Sequence, residues 1–278
     1  MDSSSSHPPA PDARHARAMG CGPSAPSMMA SSTVDIALRV PDADVAAVDA
    51  FFARVAQAFA RVHTKGVDIQ QFYIAKGAAR VNAMDAASGT SGFTEYYMYE
   101  EYADVASAKA HFEKFQNEPI FKEFGEVIMP KYGACFKAVK TGRDDFVLQS
   151  WDGSVPEPSP AVGETPFVAE FIVDKAKEEH YDELFTSHQR FVQVTSSHTP
   201  KGTFEPRITQ YNVMKANEGA DKIAYTMHMV FPGGDKAINK HMDCQKLDWK
   251  LGAMEQFLAL VNSGSFALMG NARIIHAM

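Results

Sequence analysis

The segment IQQFYIAK (69–76) returns far down the chain as ITQYNVMK (208–215), aligned without a gap, and its neighbours return in the same order. Ahead of the first copy stands VDIALRV (34–40), whose alternation predicts a strand. A helix follows, with Val45, Val48, Phe52, Val55, Phe59 and Val62 recurring at steps of three and four and Asp42 or Asp44 placed to cap it. HTKG (63–66) ends that helix. After the repeated strand comes FTEYYMYEEY (93–102), then a helical stretch from Val105 to about Met129 interrupted near Asn117–Pro119, then ACFKAVK (134–140) as a fourth strand. The second series runs FVAEFIV (167–173), a helix from Lys175 to His198, HTPKG (198–202), ITQYNVMK, IAYTMHMVF (223–231), INKHMDCQ (238–245) and NARIIHA (271–277). INKHMDCQ matches AKAHFEKF (108–115), which puts His241 on His111.

Two β-α-β-β-α-β series make this an α+β chain of two ferredoxin-like blocks, each an antiparallel sheet with its helices on one face. The other face of each sheet is bare. Covering one with the other closes an intramolecular barrel with the helices outside, and that is the expected fold. The expected divisions are residues 1–32 as a disordered N-terminal segment, 33–140 as the first block, 141–166 as a Pro/Gly-rich linker, and 167–278 as the second block. FVLQS (146–150) is placed to add a strand across the junction.

The N-terminal segment is rich in Ser, Ala and Pro and poor in large apolar residues, so it cannot drive folding. It has no apolar centre of a secretory signal. Arg14 and Arg17 suit an organellar transit peptide, while Asp2 and Asp12 oppose it. Met19-Gly20-Cys21-Gly22-Pro23-Ser24 fits the N-myristoylation pattern only if translation starts at Met19, so membrane attachment is expected only for such a product. A net charge of −7 argues against nucleic-acid partners. Cys21, Cys135 and Cys244 are scattered, without metal-ligand spacing, and suit a reducing, cytoplasmic location; no metal site is expected.

The tyrosine strand carries the chemistry. It ends Tyr99-Glu100-Glu101-Tyr102, the next helix bears Ala108-Lys109-Ala110-His111, and Phe121-Lys122-Glu123-Phe124 follows Pro119. This pattern, Y-E-x-Y, then A-x-A-H, then F-K-x-F after a proline, resembles the antibiotic biosynthesis monooxygenase (ABM) family of dimeric α+β barrel proteins, best over 93–124. The resemblance implies a small-molecule pocket between each sheet and its own helices. Relatives oxygenate quinol-like aromatics without metal or flavin, isomerise or cyclise small substrates, or degrade heme. The heme-ligating histidine of F-K-x-x-H is missing here: Phe124 runs into Gly125, and Trp249-Lys250-Leu251-Gly252-Ala253 also lacks it.

Cofactor-free oxygenation needs a base to ionise a phenol or hydroquinone, donors for the oxyanion, and a site closed to water. Glu100, His111 and Tyr102 are the candidate catalytic groups. Tyr73, Tyr97, Tyr99, Phe121, His228 and His241 are the candidates for binding an aromatic substrate. The alternative is that Glu100 is a solvated strand residue and His111 a surface or satisfied core histidine. Alternation puts Tyr97, Tyr99 and Glu101 on one face of the strand and Tyr96, Met98, Glu100 and Tyr102 on the other, without saying which meets the helices. Aligned through His241, Val230 stands at the Glu100 position and Pro232 at Tyr102, so the second block has lost the carboxylate. His188 and His228 are read as core histidines or the lining of a separate pocket. His63 and His198, at helix ends, are read as structural. The functional expectation is a cofactor-independent monooxygenase for an aromatic or quinol-type molecule. A non-catalytic barrel holding a hydrophobic ligand, or an isomerase or cyclase, uses the same scaffold, and a homodimer is compatible with it.

Overall fold

The computed structural model describes residues 32–82, 87–133, 146–150, 160–198, 208–248, 252–263, 266–268 and 272–278. The N-terminal segment up to residue 31, ACFKAVK, and most of the Pro/Gly-rich joint lie outside these residues.

The first half runs β1 (Ser32–Pro41), α1 (Val45–Val62), β2 (Gln71–Arg80), β3 (Thr90–Tyr102), α2 (Val105–Phe115), α3 (Pro119–Glu123), a π-helical turn (Phe124–Ile128) and α4 (Met129–Tyr132). The first half continues to β4 (Phe146–Ser150), and the second runs β5 (Thr165–Asp174), α5 (Glu178–His198), β6 (Gln210–Asn217), β7 (Lys222–Phe231), α6 (Asp235–Asp248), α7 (Ala253–Ser263), β8 (Phe266–Leu268) and β9 (Arg273–Ala277). The strands form two antiparallel sheets, ordered β1-β3-β2-β9 and β4-β6-β7-β5-β8. Helices pack on the outer face of each sheet, and the inner faces meet around Ala37, Tyr73, Ala75, Tyr97, Tyr99, Val168, Met214 and Val230. The expected barrel of two ferredoxin-like blocks is present.

One expectation is corrected. NARIIHA was expected to close the second sheet, but the fourth strand of that block is β8, which pairs with β5. β9 instead crosses to the first sheet and pairs with β2, Tyr73 opposite Ala277 and Ala75 opposite Ile274. FVLQS, as β4, makes the matching crossing to β6. Each half therefore pairs along the open edge of the other's sheet, β9 covering β2 and β4 covering β6. Gly77 permits this approach, because a Cβ there would lie 2.9 Å from the Ala272 Cα.

The halves also share a polar triad. Lys76 and Tyr96 both bond Asp49, at 2.6 and 2.9 Å, and Lys215 and Tyr225 both bond Asp182 at 2.7 Å. In each half this ties the first helix to the outer face of its sheet.

Candidate active site

β3 is the central strand of its sheet, flanked by β1 and β2, and both of its faces are covered. Tyr96, Met98 and Tyr102 turn towards the helices, while Tyr97 and Tyr99 turn into the barrel. Glu100 shares the helix-facing side. It is paired in register with Val34 on one side and Phe72 on the other, so its carboxyl group has apolar neighbours in the sheet.

α2 starts immediately after β3 because Asp104 caps it, its carboxylate accepting from the Ser107 N–H at 2.7 Å. The buried stripe of α2 is Ala108, His111 and Phe115. His111 occupies a core position on that stripe and is carried over Glu100. Its Nε2 lies 3.5 Å from Glu100 Oε2, and the Tyr102 hydroxyl donates to the same Oε2 at 2.5 Å. The three candidate catalytic residues are thus brought together, all buried.

Glu100 and His111 border a cavity of about 40 Å³ between β1, β3, α1, α2 and the α3 region, walled by Val34, Val55, Phe59, Phe115, Phe121 and Phe124 among others. A water occupies ~30 Å³ in the liquid, so as it stands the space suits dioxygen or a water rather than an aromatic ring. Phe121 and Phe124 form its outer wall. Phe124 opens the π-helical turn, in which the Met129 N–H reaches back to the Phe124 carbonyl. Pro130 explains the widened turn, since it has no N–H to donate and its ring would crowd the Glu126 carbonyl of a regular α-helix.

Burial dominates the electrostatics. It raises Glu100 to about 8, against the lowering effect of the Tyr102 bond. It pushes His111 down to about 3, assisted by His63 and Lys114. Burial and then the Glu100 charge push Tyr102 far above the usual phenol range. At neutral pH this is a mostly protonated carboxylic acid beside a neutral imidazole and a neutral phenol.

His63 corrects the sequence reading. It ends α1, but it is not an exposed imidazolium on the helix dipole. It is buried, its Nε2 lies 2.8 Å from His111 Nδ1, and burial lowers its basicity. No local pattern marks it, because the contact joins residues that only the fold brings together.

The binding candidates divide among three places. Phe121 lines the cavity. Tyr73, Tyr97, Tyr99 and His228 lie instead between the sheets, on the far side of β3 from Glu100. There the Tyr97 hydroxyl donates to Asp35 at 2.5 Å, Tyr99 donates to Glu101 at 2.9 Å and accepts from Asn212 at 2.5 Å, and Tyr73 bonds His228 Nε2. These groups join the two sheets. Burial raises all three phenols and lowers His228 to about 3, so the cluster is neutral at those residues. His241 sits in the second half, beside His188 and Phe231, and His188 Nδ1 is 2.8 Å from the Tyr211 hydroxyl. His188 and His228 are hydrogen-bonded core residues.

Strand pairing also moves the alignment of the halves by one residue. Val34 pairs with Glu100 and the corresponding Phe167 with Met229, so Met229, not Val230, stands where Glu100 does, and Phe231 stands for Tyr102. The connection to α6, Pro232-Gly233-Gly234, is one residue longer than Ala103-Asp104 and restores His241 to the place of His111. The carboxyl–phenol pair is absent from the second half at these positions.

No family model matches the chain, and no characterised protein matches its sequence. Solved structures do resemble it. A protein from Fusobacterium nucleatum subsp. nucleatum, named as an inferred monooxygenase, superposes with a TM-score of 0.53 at 8% identity, over 89% of this chain and 94% of its own. One from Lactobacillus acidophilus with the same kind of name gives 0.43 at 10% identity, over 88% and 94%. An anthrone oxidase-like protein gives 0.41 at 12% identity, over 88% and 92%. The first likeness shows a shared fold; at the lower scores the other two add no weight. The chain has the fold of the dimeric α+β barrel proteins, with both blocks in one polypeptide. Among the described residues no helix is long and apolar enough to cross a membrane, and no group of three His, Cys, Asp or Glu is placed to hold a metal ion.

Proposed function

We propose that the chain is an ABM-like, cofactor-independent monooxygenase acting on a small aromatic or quinol-type molecule at the first-half cavity. The observation that carries this reading is a buried carboxyl group, beside a neutral imidazole, on the wall of a small apolar cavity.

Ionising a phenol requires a base stronger than an ordinary carboxylate. Raising Glu100 from 4.5 to about 8 makes its anion a base on the order of a thousandfold stronger, while a tenth or so remains ionised at neutral pH. Glu100 takes the substrate hydroxyl proton, and Tyr102 holds the carboxyl in place through Oε2. The resulting anion is electron-rich enough to reduce dioxygen. Oxygen recombines at the ring carbon, one atom stays as a carbonyl, and the other leaves as water with the two hydrogens the substrate has lost. No external reductant is consumed. His111 supplies the return proton, and the apolar walls keep out bulk water. An aromatic ring enters only when Phe121 and Phe124 swing outward, for which the π-helical turn is the compliant element.

The test uses purified chain free of heme and flavin, naphthols with an unsubstituted para carbon, and ¹⁸O₂. One labelled atom should appear in the quinone, and kcat/KM should rise with pH to a plateau above about 8, the pH at which Glu100 ionises. Quinone without label, or none at all, refutes the proposal.

A further inference from the structure

We infer that His63 is the proton port of this site, exchanging protons between His111 and solvent so that Glu100 ionises without either imidazole becoming charged. The inference rests on the acid–base role proposed for Glu100.

A buried base must lose its proton to something. Glu100 is 2% exposed. Its polar contacts are the Tyr102 hydroxyl, which already donates to it and is held protonated, and His111 Nε2. Asp35, whose charge reaches Glu100 from β1, is an acceptor bonded to Tyr97 on the opposite face of the sheet. His111 is therefore the exit. A small rotation of either side chain closes its 3.5 Å separation to hydrogen-bonding length.

From His111 the path continues in one direction. Nδ1 is 2.8 Å from His63 Nε2, with the two ring centroids 4.8 Å apart and both rings against Phe59. His63 is the last residue before an exposed loop, Thr64–Val67. Its Nδ1 is buried and has no hydrogen-bond partner among the described residues. The charged groups facing it are Asp68 on the loop and Lys114 on α2, themselves ion-paired at 2.6 Å. An orphaned ring nitrogen next to an exposed loop is costly for a residue that merely packs. This nitrogen is shielded from water, so proton release at the outer end of the relay requires the adjoining 64–67 loop to move aside.

The proton count closes. At rest Glu100 carries its carboxyl proton, and each imidazole carries one at Nδ1. On ionisation the Glu100 O–H breaks and His111 Nε2–H forms; His111 Nδ1–H breaks and His63 Nε2–H forms; His63 Nδ1–H passes to water. Glu100 is then an anion, and both imidazoles are neutral in the other tautomer. This matters because burial disfavours charge on either ring. The reverse passage returns a proton and resets both rings. One oxygenation uses one passage in each direction, so the relay ends each turnover as it began.

The test takes the full chain labelled with ¹⁵N-histidine, and His63→Gln, with His63→Asn as a second variant should the first not fold. In the unsubstituted chain, His111 and His63 should stay neutral and exchange protonated nitrogens together as pH passes about 8. In His63→Gln the His111 switch should disappear. With 1-naphthol as probe, kcat should fall about 10- to 100-fold, KM should change less than about twofold, and added imidazole should recover part of the loss. Unchanged kcat and an unchanged His111 switch in both variants overturn the inference. If the unsubstituted chain oxidises no naphthol, the oxygenase reading fails on its own. The ring-nitrogen titration then decides the relay: loss of the switch in His63→Gln supports it, and persistence overturns it.

Discussion

Replacing Glu100 by Gln should stabilise the protein, and the gain should grow with pH. The amide is nearly the same shape and still accepts from Tyr102, so packing is retained. What disappears is an ionisable group whose carboxyl proton is bound more tightly in the folded chain, at about 8, than in the unfolded chain, at 4.5. Between those values the folded state holds more protons than the unfolded state, so stability falls as pH rises. Each pH unit costs ~1.4 kcal/mol, so from pH 5 to pH 8 the unsubstituted protein should lose up to about 4 kcal/mol that Glu100→Gln keeps. Histidines held neutral by burial (His63, His111, His188 and His228) add an opposite loss below about 6.5 in both proteins, and it cancels in the comparison. Urea unfolding of the two proteins at pH 5, 6.5 and 8 measures the difference directly. A difference that is constant with pH would mean that Glu100 ionises as an ordinary solvated carboxylate, and the base argument would fail with it.

His228→Phe should remove the bond to Tyr73 between the sheets and strand a buried hydroxyl, costing ~1–3 kcal/mol in unfolding free energy. Turnover should not change, because His228 lies on the other side of β3; a large loss of kcat at unchanged stability would move the site into the barrel. Residues 33–140 expressed alone should dimerise or aggregate, since the inner face around Tyr73, Tyr97 and Tyr99 and the β2 edge lose their cover. A soluble, stable monomer by light scattering would contradict the interlocked barrel.

The repeat made the architecture legible, because two series with the same periodicities need the same sheet and helix packing. The strand exchange was not, since the pattern of NARIIHA specifies a strand and says nothing about its neighbour. Nor could the face of β3 be read. Helices cover one side and the second sheet covers the other, so Tyr96 and Tyr97 are equally buried and alternation carries no polarity contrast. Glu100, His111 and Tyr102 were recognisable as a set through the resemblance of Y-E-x-Y and A-x-A-H to the ABM motifs. His63 was not, because its partner lies on another helix and its burial comes from Phe59 and Phe115. The triads Asp49, Lys76, Tyr96 and Asp182, Lys215, Tyr225 could have been found by comparing the aligned blocks, as polar residues held in common at equivalent positions.

The central claim is that the first half holds an acid–base site and the second does not. Turnover and melting temperature of His111→Ala and His241→Ala, measured side by side on the same naphthol, test it most directly. Both histidines are buried on the same stripe of equivalent helices, so a purely structural role predicts similar losses at the two positions. An acid–base role predicts a loss of about 10²–10⁴-fold in kcat for His111→Ala with little change in melting temperature, and a far smaller loss for His241→Ala. Equal losses that track melting temperature would contradict the account and leave Glu100, Tyr102 and His111 as a packing arrangement.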